Sequence, residues 1–567
     1  MSTKPKDHLE YPRLTMFQMI KEMEKKYSKD ATYEFYGSKT SYKRFVEKIE
    51  RAARAFLAMG IGQGDRVTIC LPNIPQALDC FYALNRIGAV ANMVHPLSAR
   101  DEITFYLTIS KSKAILTTDM FYEKVEESLE KVPQDVTVLV ARIQDELNPI
   151  LKVAYTAKSG LPYLKYPNTD HAMLWSKFLK KGKKEIPLPE ITFDEKRTAV
   201  ILYSGGTSGV PKGICLTDLN FNACGLQAKE ALQQELTKGL TMLSCMPCFH
   251  GFGLGINLHA VFIHGATCIL MPTFTSQSYA KMLAKKKPNY IAGVPTIFEA
   301  LLHLDALNGV DLSCLKGMFC GGDSLSIELK KKVDAFLKDH NASIQIREGY
   351  GLTECVTASC LTPKDSYREG SIGLPFPDTL YAIVRPGTDE VLPYGEEGEI
   401  ILTGPTVMLG YLDNPEETAQ TLRVMPDGRT WLYTGDLGRM DEDGYVYYRQ
   451  RIKRMIITNG YNVYPGQLEN VLDSCPDVSY SCVIGVNDPR RMKRIKAYIV
   501  LKDGVTPDDA CKERIMARVK DSVARYAWPK EIEFRKELPK TLVGKVAYRL
   551  LEEEANKEAE SKGASHE

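Results

Sequence analysis

No apolar run in this chain reaches the roughly 18–20 residues that a membrane-spanning helix requires. That excludes a helical integral membrane protein. Residues 1–10 are polar and lack the apolar segment of a secretory signal. The net charge is only +2 over 567 residues, which argues against a nucleic-acid binder held by a broad excess of positive charge. No second Cys-x-x-Cys pair accompanies Cys245-Met246-Pro247-Cys248, so this stretch, with Phe249 and His250, is short of zinc ligands. It reads instead as a strand end with two small apolar thiols. Fourteen cysteines scattered through so long a chain fit reduced thiols in a cytosol and not a disulfide framework, so a cytoplasmic protein is expected.

What is present is ordinary for a globular protein: 44% apolar and 25% charged residues. The length exceeds what one core usually supports, so two or more domains are expected. A helical stripe of Phe45, Val46, Ile49, Ala52, Ala53, Phe56 and Leu57 predicts a helix over 42–59, stopped by Gly60, Gly62 and Gly64. A short apolar strand at 67–71, a helical segment from Pro72 to about 86 and a second apolar run ending at Val94 form a β-α-β rhythm, which favours parallel strands. Similar runs at 114–116, 136–140, 267–270, 290–294 and 317–320 point to doubly wound α/β layers. Turns at Pro386-Gly387 and Pro393-Tyr394-Gly395 mark an antiparallel β unit over 372–412. The chain turns basic at 449–454, just after Asp441-Glu442-Asp443-Gly444, and the remaining stretch is long enough for a small separate domain. The expected class is therefore α/β: a large N-terminal domain over 1–450, with two doubly wound layers plus a β unit, and a small α/β domain over 451–567. Residues 552–567 are charged, lack aromatics and are expected to be disordered. Lysine clusters at 180–184, 285–287 and 330–332 read as solvated faces and leave peripheral membrane contact open.

The most informative segment is Tyr203-Ser204-Gly205-Gly206-Thr207-Ser208-Gly209-Val210-Pro211-Lys212-Gly213, which comes directly after the apolar run Ala199-Val200-Ile201-Leu202. Glycines let backbone N–H groups approach an anion, hydroxyls donate hydrogen bonds or touch a metal, and lysine adds positive charge. It is not a Walker loop, because no Gly-Lys-Ser/Thr closes it. Four further segments share its character. They are Gly321-Gly322-Asp323-Ser324, Gly349-Tyr350-Gly351-Leu352-Thr353-Glu354, Tyr433-Thr434-Gly435-Asp436 and Pro539-Lys540-Thr541-Leu542-Val543-Gly544-Lys545.

Together, and in this order from about residue 30 to 550, these segments resemble the adenylate-forming superfamily of acyl-CoA synthetases, luciferases and peptide-synthetase adenylation domains. The resemblance implies that the loop with Ser204, Gly205, Gly206, Thr207, Ser208, Gly209 and Lys212 covers the β- and γ-phosphates of ATP. Thr207 and Glu354 would help hold Mg²⁺, a hard cation suited to oxygen ligands. Tyr350 would stack on adenine, with Gly322, Asp323, Ser324, Gly349, Gly351 and Thr353 around it. Asp436 and Arg451 would take the ribose hydroxyls, and Lys545 would bridge the carboxylate and the α-phosphate. His250, in Pro247-Cys248-Phe249-His250-Gly251, looks like the gate between acyl pocket and phosphate. Gly460 and Tyr461 match the loop that faces the site when coenzyme A attacks the acyl-adenylate. The resemblance also implies that the small domain is mobile.

One departure concerns the joint between the domains. Family members usually read Gly-Arg-Lys-Lys-Asp there, whereas this chain reads Gln450-Arg451-Ile452-Lys453-Arg454. The pivot position is Arg454, whose long side chain is expected to need new partners in each conformation. The leading reading is an acid–CoA ligase on a medium- or long-chain fatty acid, using ATP, Mg²⁺ and coenzyme A, as a monomer or a homodimer. The alternatives are a ligase loading a carrier-protein thiol, an aromatic acid–CoA ligase, a luciferase-like oxidase and a non-catalytic nucleotide-binding module.

Overall fold

The helix predicted over 42–59 runs over Tyr42–Ala58, and the Ser41 side chain caps it by accepting from the Arg44 backbone N–H. Its stripe, Phe45, Val46, Ile49, Ala52, Ala53 and Phe56, is buried. The computed structural model describes residues 7–159, 171–204, 211–272, 274–458, 461–488, 492–541 and 546–564.

The β-α-β rhythm becomes strand Arg66–Ile69, helix Pro75–Arg86 and strand Val90–Met93, with the two strands paired in parallel. Pro75 opens the helix where its missing N–H costs nothing. Every residue from Pro75 to Asn85 is buried. These strands belong to an eight-stranded sheet that also holds Ala114–Thr118, Thr137–Ala141, Ala172–Leu174, Thr198–Ser204, Lys212–Thr217 and Gly410–Tyr411. A nine-stranded sheet carries Thr241–Ser244, Thr267–Leu270, Tyr290–Gly293, Gly317–Cys320 and Ile346–Tyr350 as a parallel centre. One apolar core runs through side chains of both sheets.

The antiparallel unit is displaced from its expected bounds of 372–412. It consists of Leu380–Val384, Gly398–Thr403, Leu422–Val424, Thr430–Met440 and Val446–Arg451. Leu374–Pro375 and Gly410–Tyr411, inside the expected range, instead pair onto the edges of the two large sheets. Turn signals found the first hairpin, but two-residue edge strands carry no period to read.

Beyond Arg451 a smaller sheet forms from Ile456–Thr458, Tyr461–Val463, Val478–Asp488, Met492–Leu501 and Glu531–Phe534. One face packs Leu468, Leu472, Ile495 and Ile515. The other packs Cys482, Ile484, Tyr498, Leu551 and Ala555. The disorder expected over 552–567 is corrected for the described residues, because helix Tyr548–Ala564 takes in 552–564. Leu551, Ala555 and Ala559 recur every fourth residue and give the charged segment one apolar stripe against the sheet.

Candidate active site

Strand Thr198–Ser204 and strand Lys212–Thr217 pair antiparallel, so Ser204 and Lys212 stand opposite each other at the mouth of the glycine-rich loop. Gly205, Gly206, Thr207, Ser208 and Gly209 lie outside the described residues. Lys212 forms an ion pair with Glu417, and its ammonium sits 5.0 Å from the Tyr411 ring centre. The Tyr411 hydroxyl donates to Glu354 at 2.9 Å, and the Met408 N–H donates to the Glu354 carbonyl at 2.8 Å. Burial, then the Glu354 charge, push the Tyr411 phenol well up, so it stays a donor.

Glu354 sits on the short turn Thr353–Cys355, and the residue after that turn is strained. Val356 has φ +67° and ψ −60°, and Thr357 N–H donates to the Cys355 carbonyl at 2.8 Å, closing a γ-turn of the rare positive-φ kind. Such a conformation at a β-branched residue costs about 1–3 kcal/mol. The close approach continues at Gly351, where an added Cβ would stand 1.4 Å from the Thr357 carbonyl oxygen. This segment bends tightly between Tyr350 and the next strand.

Tyr350 ends strand Ile346–Tyr350, and its hydroxyl donates to Asp436 at 2.7 Å. The Arg451 Nε lies 2.9 Å from the other carboxylate oxygen. Strand register explains the pair, because Asp436 and Arg451 face each other across Thr430–Met440 and Val446–Arg451. Asp436 is buried, and Tyr350 and Arg451 stand between it and the cavity. Burial and the Asp436 charge raise the Tyr350 phenol well above its ordinary value. For Arg451, burial pulls downward, but the Asp436 carboxylate outweighs it and the guanidinium is held charged.

A cavity of about 710 Å³ joins these groups. Ser204, Lys212, His250, Gly322, Gly349, Tyr350, Gly351, Thr353, Glu354 and Arg451 line it, and Thr541 of the small lobe reaches it. Asp323 and Ser324 are exposed and absent from the lining; the Ser324 N–H donates to Asp323 at 2.9 Å. The opposite end is apolar, formed by Ala228, Leu232, Met242, Ile256, Phe319 and Phe376. Ile256 and Ala260 come from a nine-residue π-helix, Phe252–Ala260, a form concentrated at functional sites. His250 stands just before it and accepts from the Phe252 N–H at 3.2 Å. Cys245 and Cys248 do not face a metal cluster; they donate to the carbonyls of Ala292 and Leu71. Burial pushes both thiols up to about 12.

The far wall of the apolar end is fixed by a buried cation. Arg347 donates to the carbonyls of Thr362, Leu232 and Ala231 at 2.6, 2.8 and 2.7 Å. It thus ties the end of helix Asp218–Leu232 to the strands beside it. Burial lowers its pKa to about 10.

At the joint, Ile452 and Lys453 also line the cavity. Arg454 pairs with Glu469, approaches the Cys482 thiol at 3.7 Å and lies 4.9 Å from the Tyr548 ring centre. These three groups belong to the small lobe, so they travel with Arg454 if the lobe turns. Lys540 and Val546 pair across the last motif, while Lys545 itself lies outside the described residues, as does Gly460. Tyr461 opens strand Tyr461–Val463.

Sequence reasoning missed Tyr411, Glu417 and Arg347. None sits in a glycine-rich motif. The only available signal was residue type, a charge or phenol within otherwise ordinary sequence, and such residues are usually surface groups.

Two family models match this chain: AMP-binding enzyme over residues 21–412 and AMP-binding enzyme C-terminal domain over 467–545. The chain is 34% identical to a long-chain-fatty-acid–CoA ligase of Bacillus subtilis, over 96% of each chain. It is 32% identical to one of Salmonella typhimurium, over 92% of this chain and 91% of that one. Among solved structures, an ATP-bound RpMatB-BxBclM chimera aligns with a TM-score of 0.82 at 26% identity, covering 96% of this chain and 99% of that one. An anthranilate CoA ligase with anthranoyl-AMP aligns at 0.83 and 22% identity, over 99% of this chain and 100% of that one, and so shares the fold. With both models matched in order, and with its polar and apolar cavity ends joined, the chain belongs to the AMP-binding enzyme family.

Proposed function

We propose that this protein is an ATP-dependent carboxylic acid–CoA ligase acting on medium- or long-chain fatty acids. A carboxylate oxygen attacks the α-phosphorus of ATP, the bond to the bridging oxygen breaks, and pyrophosphate leaves. The thiol of coenzyme A then attacks the acyl carbon, loses its proton, and displaces AMP. The observation that carries this reading is one cavity with a polar, charge-bearing end and an apolar end. A substrate with an acyl tail and a carboxylate head suits both.

Activation at neutral pH requires that reacting groups be held together and that charge growing on phosphate be neutralised. Lys212 and the glycine-rich segment that includes Thr207 take the β- and γ-phosphates, with Lys212 exchanging Glu417 for the incoming anion. Tyr350 stacks on adenine beside Gly322, and Arg451, braced by the buried Asp436, takes the ribose. Lys545 bridges the carboxylate and the α-phosphate. His250 separates the acyl end from the phosphates, and Gly460 with Tyr461 faces the coenzyme A thiol. Mg²⁺ fits the donor set: the Glu354 carboxylate lines the cavity, oriented by the Tyr411 phenol behind it, and it offers hard oxygen. When bound, Mg²⁺ with Glu354 and Thr207 supplies neutralising charge to the triphosphate.

The domain boundary belongs just after Arg451, which ends a strand of the large lobe, with the small lobe turning about 452–454 between half-reactions. Free thiols at all fourteen cysteines support a reducing, cytoplasmic site of action. The proposed chemistry needs only one chain, whether monomer or homodimer.

Chain length tests the acyl assignment. Each CH₂ buried at the apolar end adds about 0.8 kcal/mol, roughly fourfold in apparent affinity, until the cavity is full. KM measured over a series of saturated acids should fall stepwise and then level. A second reading, an aromatic acid–CoA ligase, is favoured by 27% identity to a probable 4-coumarate–CoA ligase of Dictyostelium discoideum. Flat KM values along the series, with strong preference for a ring acid, would establish that reading instead.

A further inference from the structure

Helix Pro149–Ser159 presents its apolar stripe outward. Ile150, Val153, Ala154 and Ala157 keep the i, i+3, i+4, i+7 spacing of one helix face, and all four are exposed. Ile150 is 82% exposed, Val153 71%, and Leu151 beside them 36%. Large apolar groups gathered on one exposed face mark an interaction site, not chance scatter. The helix is seated by Tyr155, which packs half-buried against the main core.

The charge around this face is one-sided. Residues 147–159 and 171–184 contain seven lysines and no Asp or Glu, in a chain whose net charge is only +2. Topology places both segments together. Strands Thr137–Ala141 and Ala172–Leu174 are parallel neighbours, with Val140 opposite Leu174, so the elements after each strand emerge at the same end. Helix Tyr42–Ala58 pins both within one turn of itself: Lys48 holds Glu146 at 2.9 Å and Arg51 donates to the Leu179 carbonyl at 2.9 Å. Lys177, Lys180, Lys181, Lys183 and Lys184 are exposed there. Lys152, also exposed, pairs with Asp145 at 3.4 Å.

We propose that this face docks on the surface of an anionic lipid bilayer, helix Pro149–Ser159 lying in the interface and the lysines contacting headgroup phosphates. A helix with an outward apolar stripe enters the headgroup–acyl boundary, and lysines near it add attraction to anionic lipid. A second copy of this chain would bring another patch with an excess of lysine against the first, so like charges disfavour it. Docking does not depend on the ligase reading, though it would place an enzyme of amphiphilic acids where such acids dissolve.

The test is sedimentation of the full chain with vesicles of phosphatidylcholine alone or with about one-third phosphatidylglycerol. Binding is expected to the anionic vesicles, to weaken as salt rises, and to fall at least ~tenfold in Ile150→Asp/Val153→Asp. The thermal melt and the rate on a short soluble acid without vesicles should be unchanged, which separates lost docking from lost folding or lost chemistry. A second variant with Lys180, Lys181, Lys183 and Lys184 changed to Gln should lose the preference for anionic lipid. Equal binding of wild type and the Asp double variant, equal binding to both vesicle types, or no binding at all overturns the proposal. A dimer in solution that the Asp double variant abolishes, without vesicle binding, would assign the face to a second copy and overturn it too.

Discussion

Lys545 is the residue on which the first half-reaction should depend most. Losing one preorganised donor to developing charge typically costs ~10²–10³-fold in rate. Lys545→Ala is expected to lose that much in pyrophosphate release with acid and ATP, while still converting supplied acyl-AMP to thioester. Equal loss in both half-reactions would contradict a lysine used in only one of them. At this scale the motifs were legible because glycine, hydroxyl and carboxylate in a fixed order leave few structural alternatives. Asp436 shows the limit of such reading. Its motif was visible, but its burial behind Tyr350 and Arg451 depends on strand register between residues 430–440 and 446–451. Tyr411 and Arg347 were not legible, since each gains its role only from what a distant segment brings to it.

The joint tests the elements. In this conformation Arg454 is held by Glu469, Cys482 and Tyr548 of the small lobe. Arg454→Pro fixes φ and removes a backbone donor. It should leave pyrophosphate release largely intact while depressing overall acyl-CoA formation. Glu469→Gln loses the same ion pair without altering the backbone, and should depress the overall rate less. An undiminished overall rate in Arg454→Pro would place the pivot elsewhere. Helix Tyr548–Ala564 shows which kind of element escapes sequence reading. Its charge density read as disorder, yet three small or apolar residues at every fourth position were enough once a sheet face was available. Central strands of the two large sheets such as Ala114–Thr118, Thr137–Ala141 and Thr267–Leu270, by contrast, are largely apolar runs that need no partner to be recognised.

For the molecule as a whole, the contact between lobes carries a titratable group. Asp473 accepts from the Ser481 hydroxyl at 2.7 Å, with Glu469 one turn away and Glu299 of the large lobe nearby. Burial first, and then the Glu469 and Glu299 charges, raise its pKa to about 8. Between an unfolded value of about 4 and that raised value, the folded chain holds a proton that the unfolded chain lacks. Stability contributed by this carboxyl is therefore full at low pH, declines as pH rises toward 8, and levels above it. Asp473→Asn keeps a hydrogen-bond acceptor and removes the charge. Its melting temperature should exceed that of the wild type by more at pH 8.5 than at pH 6, and an equal difference at both would contradict the raised pKa.

One cavity serving both triphosphate and acyl tail is the central claim, and product stoichiometry tests it most directly. With a long-chain fatty acid, ATP and coenzyme A, the account predicts AMP, pyrophosphate and acyl-CoA in equal amounts, with pyrophosphate appearing from acid and ATP before coenzyme A is added. ADP and phosphate as products, or acyl-CoA without AMP, would contradict it.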